Sequence, residues 1–405
     1  MVPSHRNAGT VIAMLLHLVA APFAVKAADG VTDPMGYTEV ALAGNSDSYL
    51  FVPFKRTPAL VTSVAEVGAN GQYDEGEPFV DTDGDGVRDA SESYTDTSNV
   101  LTLPEGVVLP QNQFVYLQGT QPNTYYVSFK SGSRAGIFCP VVANGVNTVV
   151  VDTMGYDLSA MTGQIAIEVV PYHTLGTVFP NGQGIHPSAS HSASARPTSV
   201  LLPNHTVAGE NLAFDQVFYY YSGSEPGWRK SGVPDVVAND TVLPPDSFFI
   251  VRHNNPSGTT LVFSGDVHVA KFATPLNTLA ANVNQDNFVA APIPVEMRLR
   301  DLNLIESGAF VPSSSHSLAV RQDMLLVWHN ASLGFNRAAT VSYYYFGGSS
   351  GAGPGWRKAG VPLVLADNDV VMSSSRVFVI RKKATPAPSS SLWDVTPPYL
   401  PLETP

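Results

Sequence analysis

One cysteine in 405 residues, 22 basic side chains against 34 acidic ones, and 14% charged residues in all exclude several protein classes. A single thiol, Cys139, cannot close an intrachain disulfide, so this is not a disulfide-stapled scaffold. A net charge of −12 with no Lys- or Arg-rich run argues against nucleic acid as a partner. Too little charge and too much apolar residue (44%, with 10% aromatic) exclude intrinsic disorder. After residue 27 no apolar run approaches the roughly 18 residues of a membrane-spanning helix, so no transmembrane segment is expected there.

Residues 1–27 have the layout of a secretory signal peptide. His5 and Arg6 precede the apolar stretch 10–25, and Val25 and Ala27 occupy the −3 and −1 places of a small-residue cleavage site. Cleavage removes Arg6 and Lys26 and no acid, leaving 378 residues with a charge near −14. The expected location is extracytoplasmic: secreted, periplasmic or on the outer surface. Cys139 sits among Ile137, Phe138, Val141 and Val142 and reads as a small buried hydrophobe.

Period-two alternation and short β-branched runs dominate what remains, as in 124–129, 164–169, 247–252 and 376–380. With 33 Gly and 32 Pro, a helix-rich fold would be broken too often. The best helix candidate is 297–305. The expected class is all-β, with β-sandwich or half-barrel domains and short helices only. A repeat marks the second half: Gly209-Glu210-Asn211 parallels Gly334-Phe335-Asn336, Tyr219-Tyr220-Tyr221 parallels Tyr343-Tyr344-Tyr345, and Pro226-Gly227-Trp228-Arg229-Lys230 parallels Pro354-Gly355-Trp356-Arg357-Lys358. The expected layout is an N-terminal β domain over 28–182, a linker or surface loop over 183–198, a C-terminal β domain over 199–386 with repeats at 199–260 and 325–386, and a Pro-rich tail over 387–405.

One motif carries a mechanism. Residues 66–96 hold ten acids and a single base, Arg88, and residues 81–92 fit D-x-D-x-D-G-x-x-D-x-x-E. Calcium takes six to eight oxygens, which Asp81, Asp83, Asp85, the Val87 carbonyl, Asp89 and a bidentate Glu92 would supply around the turn at Gly86. No amphipathic helices flank the loop, so it reads as a stand-alone extracellular calcium loop with a structural role. Asn70, Asp74 and Glu77 repeat the offsets with poorer ligands.

Catalytic motifs are weak. Gly347-Gly348-Ser349-Ser350-Gly351 formally matches a nucleophile elbow, but Ala-Gly-Pro-Gly-Trp follows where a helix should start. The repeated aromatics Tyr219, Tyr221, Trp228, Tyr343, Tyr345 and Trp356 are either core plugs or a platform for sugar rings.

Taken together, Thr32-Asp33-Pro34-Met35-Gly36-Tyr37, the segment 46–54, Leu243-Pro244-Pro245-Asp246-Ser247-Phe248-Phe249, Leu304-Ile305-Glu306-Ser307-Gly308 and the two Gly-Trp-Arg segments resemble a family of uncharacterised exported proteins of Verrucomicrobia-type bacteria. That resemblance implies compartment and lineage and assigns no activity. The expected function is a secreted or cell-surface structural or binding protein, stabilised by calcium and contacting an extracellular glycan or cell-surface component. The alternative is a glycosidase-like hydrolase whose carboxylates are assembled by folding.

Overall fold

The computed structural model describes residues 34–67, 79–84, 86–89, 91–93, 99–116, 123–159, 161 and 163–401, and its elements are almost all antiparallel strands. The expected signal peptide lies outside the described residues. Among those residues the one α-helix is the single turn Leu175–Val178, capped by Thr174, and no helix is long and apolar enough to cross a membrane.

Two six-stranded sheets share one strand order. The first runs Val233–Val237, Gly227–Lys230, Gln216–Tyr221, Thr198–Leu202, Phe249–His253, Ser46–Leu50. The second runs Val361–Leu365, Gly355–Lys358, Val341–Phe346, Met324–His329, Arg376–Lys382, Gln285–Val289. Each is accompanied by a two-stranded ribbon, Met35–Leu42 with Thr259–Asp266 and Phe272–Thr278 with Ser389–Val395. The repeat is therefore larger than its sequence signature: one unit is built from 34–54 and 173–267, the other from 268–395.

Alternation explains why these strands read as nearly continuous apolar runs. Phe249 and Val251 turn into the core of the first unit with Leu175, Phe179 and Trp228. Ile250, between them, faces the other way, into a core shared with Leu326, Phe288 and Val379 of the second unit. Strands Thr198–Leu202, Phe249–His253 and Ser46–Leu50 are buried on both faces because the two units pack against each other.

Residues 55–172 are inserted into the first unit where the second has only 294–296. Among the described residues they form seven strands in the order Leu60–Val64, Ile165–Pro171, Tyr125–Phe129, Phe138–Asn144, Thr148–Val151, Val100–Thr102, Glu66–Val67. The two outermost strands are separated in the chain by Ala65 alone, whose N–H donates to the Thr102 carbonyl at 2.8 Å. The sheet thus curls into a near-barrel around Phe129, Ile137, Val149 and Ile167. Cys139 is fully buried there, and burial pushes its thiol up to about 12. Lys55 and Lys130 both reach Glu168, at 2.6 and 3.3 Å, and the Phe138 ring stacks on Phe272 at 5.8 Å. Gly136 (φ +97°) lies against the backbone of Phe272 and Ala273, where a Cβ would come within 3.1 Å.

Several expectations change. Of the two alternatives for residues 183–198, the surface loop fits and the linker does not: Ser188 bridges to Tyr221, His191 stacks on Tyr221 at 4.0 Å, and Arg196 covers the Tyr219 ring at 4.0 Å. The boundary near 182 does not divide the sheets, since Ser46–Leu50 pairs with Phe249–His253. The segment 297–305 forms the short strand Met297–Arg298 and the 3-10 turn Leu299–Asp301, because its apolar residues Met297, Leu299 and Leu304 are all fully buried rather than lining one helical stripe. Within the tail, Ser389–Val395 is a ribbon strand whose Trp393 is buried, its Nε1–H donating to the Leu302 carbonyl at 2.6 Å.

Candidate binding groove between the repeated units

The repeat register decides where the aromatics go. Tyr219 pairs with Arg229 and Tyr220 with Trp228, while Tyr344 pairs with Arg357 and Tyr345 with Trp356. The Tyr219-Tyr220-Tyr221 triplet therefore corresponds to Tyr344-Tyr345-Phe346, one residue later than the run of tyrosines suggests. Trp228 and Trp356 are 1% and 3% exposed, and Tyr219 and Tyr343 are buried as well. Only Tyr221 and Tyr345 are half-buried, so the six do not form an open platform. The cause is geometric: each indole sits on the strand next to the sheet edge and packs inward, against Phe179 at 5.3 Å in the first unit and Phe310 at 4.9 Å in the second.

A duplicated clamp holds these strands. His191 Nδ1 lies 2.7 Å from the Tyr219 hydroxyl and Arg196 covers the ring; His316 Nδ1 lies 2.8 Å from the Tyr344 hydroxyl and Arg321 covers that ring at 4.3 Å. The signal was legible as His-Ser-x-x-x-Arg at 191–196 and 316–321.

The two units meet through reciprocal contacts, the mark of an approximate two-fold axis. Asp47 N–H donates to the Gly334 carbonyl at 3.1 Å, and Asp286 N–H to the Gly209 carbonyl at 2.9 Å. Asn336 N–H donates to Asp47 Oδ2 and Asn211 N–H to Asp286 Oδ2, both at 2.7 Å. Arg252 grips Asp47 through Nε and Nη2 at 2.7 and 2.8 Å, and Arg381 grips Asp286 through the same atoms at 2.7 and 2.9 Å. Each arginine also donates to the opposite unit's asparagine, Asn336 at 2.6 Å or Asn211 at 3.0 Å. Asn211 and Asn336 take φ values of +55° and +48°, a left-handed turn that asparagine tolerates better than most residues.

Between these two clusters lies a groove of about 770 Å³. Tyr49, Phe214, Phe248, Phe288 and Trp328 supply rings, Leu201, Leu326, Ile250 and Val379 supply the floor, and the two Asp–Arg–Asn clusters form its polar parts. Tyr49 and Trp328 stack at 5.8 Å and 27°. Burial, helped by Asp47, pushes the Tyr49 phenol up to about 12, so it is a neutral hydroxyl at any ordinary pH. Arg252 is held above its usual value by its hydrogen bonds to Asp47. Arg381 is raised too: burial opposes its charge, and Asp286 and Glu210 outweigh that. Chemically the groove offers ring faces beside fixed donors and acceptors. Its two carboxylates already accept from arginine and backbone N–H groups, which leaves neither free as a general acid or base. The signal missed in the sequence was the pair Asp47-x-Tyr49 and Asp286-x-Phe288, hidden because the insertion changes its spacing from the other repeats.

The acidic loop lies in the connection between Glu66–Val67 and Val100–Thr102, on the barrel. Asp81, Asp83 and Glu92 bring one carboxylate oxygen each within 4.8 Å of one another. Asp81 accepts from the Gly84 and Gly86 N–H groups at 2.6 and 3.0 Å. Glu92 accepts from the N–H groups of Thr82 and Asp89 at 2.6 and 3.0 Å, which hold its carboxyl below the usual range. Each ionised carboxylate still has lone pairs left for a cation, so the donor set is compatible with calcium. Val87 is 65% exposed and Asp89 is not within the cluster; Asp85, Asn70, Asp74 and Glu77 lie outside the described residues. Gly347-Gly348-Ser349-Ser350-Gly351 is the exposed turn between strands Val341–Phe346 and Gly355–Lys358, with no helix after it.

No family model, no curated protein and no solved structure matches this chain.

Proposed function

We propose that this is an exported binding protein that holds a saccharide in the groove between its two β units, with calcium ordering the acidic loop of the inserted barrel. Export follows from the layout of residues 1–27. The observation that carries the binding reading is the groove: both units contribute rings beside polar groups already locked in place. Sugars present apolar C–H faces and hydroxyl edges together, and a pre-formed pocket with that mixture suits them. Arg252 and Arg381 are fixed by bidentate pairs, so little side-chain entropy is lost when a hydroxyl docks. The engagement of Asp47 and Asp286 with arginine and backbone favours binding over hydrolysis, which needs one carboxyl free as general acid and a second free as base or nucleophile.

The test is a glycan array run with and without calcium, followed by Trp328→Ala and Tyr49→Phe. The expected result is retention of a saccharide that Trp328→Ala weakens at least tenfold with the fold intact by near-UV circular dichroism. Retention unaffected by both substitutions, or no retention of any glycan, would remove the reading. For calcium, titration calorimetry should give a saturable heat that Asp81→Ala with Asp83→Ala abolishes.

A further inference from the structure

The groove is symmetric in backbone and asymmetric in charge. At one end Arg381 has two carboxylates, Asp286 and Glu210, the latter 3.0 Å from Nη1. The residue equivalent to Glu210 at the other end is Phe335, 42% exposed, whose ring lies 5.4 Å from the Arg252 guanidinium carbon. Arg252 Nη1 therefore has no acceptor among the described residues. The residue equivalent to Leu212 is Arg337, whose Nη groups donate only to backbone carbonyls, His329 at 2.9 Å and Asp47 at 3.0 Å, while its buried Nε has no partner. Arg337 also lies over the Tyr49 ring at 5.0 Å. The Tyr49 hydroxyl makes no hydrogen bond among the described residues, and its equivalent is Phe288, which has none to offer. One end thus carries one excess negative charge (Arg381, Asp286, Glu210), and the other one excess positive charge (Arg252, Arg337, Asp47).

We infer that the groove selects an acidic saccharide and orients it, with a carboxylate of the sugar at the Arg252–Arg337–Tyr49 end. The inference rests on the saccharide reading of the groove. Two guanidinium groups, one with its Nη1 unused, beside a hydroxyl that makes no hydrogen bond form a positively charged, acceptor-seeking cluster, and guanidinium geometry suits a planar carboxylate. At the opposite end the Glu210 carboxylate fills the place a sugar acid would need and repels it, so the two possible orientations of a chain differ. Nothing in the insertion or the barrel supplies the charge asymmetry; it arises from two substitutions, Glu210 against Phe335 and Leu212 against Arg337, and Tyr49 against Phe288 adds the hydroxyl.

Titration calorimetry with a hexasaccharide of galacturonate and a neutral galactose hexasaccharide of the same linkage tests this. The expected result is at least tenfold tighter binding of the acidic chain at low salt, a preference that shrinks as salt rises. Arg337→Leu, which installs the residue of the equivalent site, should reduce the preference about tenfold. The exposed Phe335→Glu should do the same by supplying Arg252 with a second carboxylate, as Glu210 does for Arg381, and it keeps the test valid if Arg337→Leu disturbs folding. Equal affinity for the two chains, or a preference that survives Phe335→Glu in folded protein, would overturn the inference and leave the saccharide reading standing. Failure of both chains to bind would overturn the acidic-saccharide inference, and the glycan array decides the saccharide reading separately.

Discussion

The two β units are one design executed twice with different polar chemistry, and the differences are concentrated in a few places. In the first unit the position at the end of the fifth sheet strand is His253, fully buried between Thr198 and Thr259 at 2.7 and 2.8 Å. In the second the same position is Lys382, paired with Asp323 at 2.5 Å where the first unit has Thr198. Backbone order, the Trp plug and the His–Arg clamp are the same in both. A repeated scaffold therefore tolerates exchange of a neutral hydrogen-bonded pair for an ion pair, provided the exchanged groups themselves keep partners.

The largest expected effects test the sameness. Trp228→Ala and Trp356→Ala should each cost about 3–5 kcal/mol in chemical denaturation, by loss of buried area and the cavity left behind. Costs that differ by more than about 2 kcal/mol would break the equivalence of the two plugs. Next come the arginine-bound carboxylates. Removing one partner of a buried pair costs about 3–5 kcal/mol, and Asp47→Ala should sit in that range. Asp286→Ala should cost less, because Arg381 keeps Glu210; the reverse order would show that Glu210 contributes no compensation.

Acid should then separate the units. Burial, with His186 nearby, lowers His253 to about 4, and burial with Arg56 lowers His173, also in the first unit, to about 4. A histidine kept neutral in the fold binds fewer protons than the unfolded chain between its folded value and 6.5, so stability falls as pH drops through that window. For His253 the loss amounts to roughly 2–3 kcal/mol between pH 6.5 and 4. Exchanging the pair for that of the second unit, Thr198→Asp with His253→Lys, should flatten denaturation midpoints across that range; an unchanged slope would assign the acid sensitivity elsewhere. The smallest effect belongs to the barrel loop. Asp83→Ala, at an exposed position, should change calcium-free stability by no more than about 0.5 kcal/mol. It should also leave groove binding within twofold, since loop and groove belong to different sheets.

Much of this was written in local sequence. Alternation over runs such as 247–252 and the density of Gly and Pro imposed strands, because backbone geometry and side-chain periodicity act over a few residues. The Gly-Trp-Arg-Lys copies disclosed a duplication for the same reason. Local pattern could not disclose that Asp47 and Tyr49 belong to the first repeat, since with the barrel inserted Asp47 stands 205 residues from Arg252. Nor could it show that the tyrosine run is offset by one between copies, because strand pairing sets that register. What the sequence alone determined is an all-β, duplicated, cysteine-poor chain with an acidic loop. Only the tertiary structure decided that Trp228 and Trp356 are core and that a ring-lined groove lies between the units. Burial and charge pairing depend on which distant residues meet, and the pseudo-two-fold packing brings Asp47, Arg252 and Arg337 to one end and Asp286, Arg381 and Glu210 to the other.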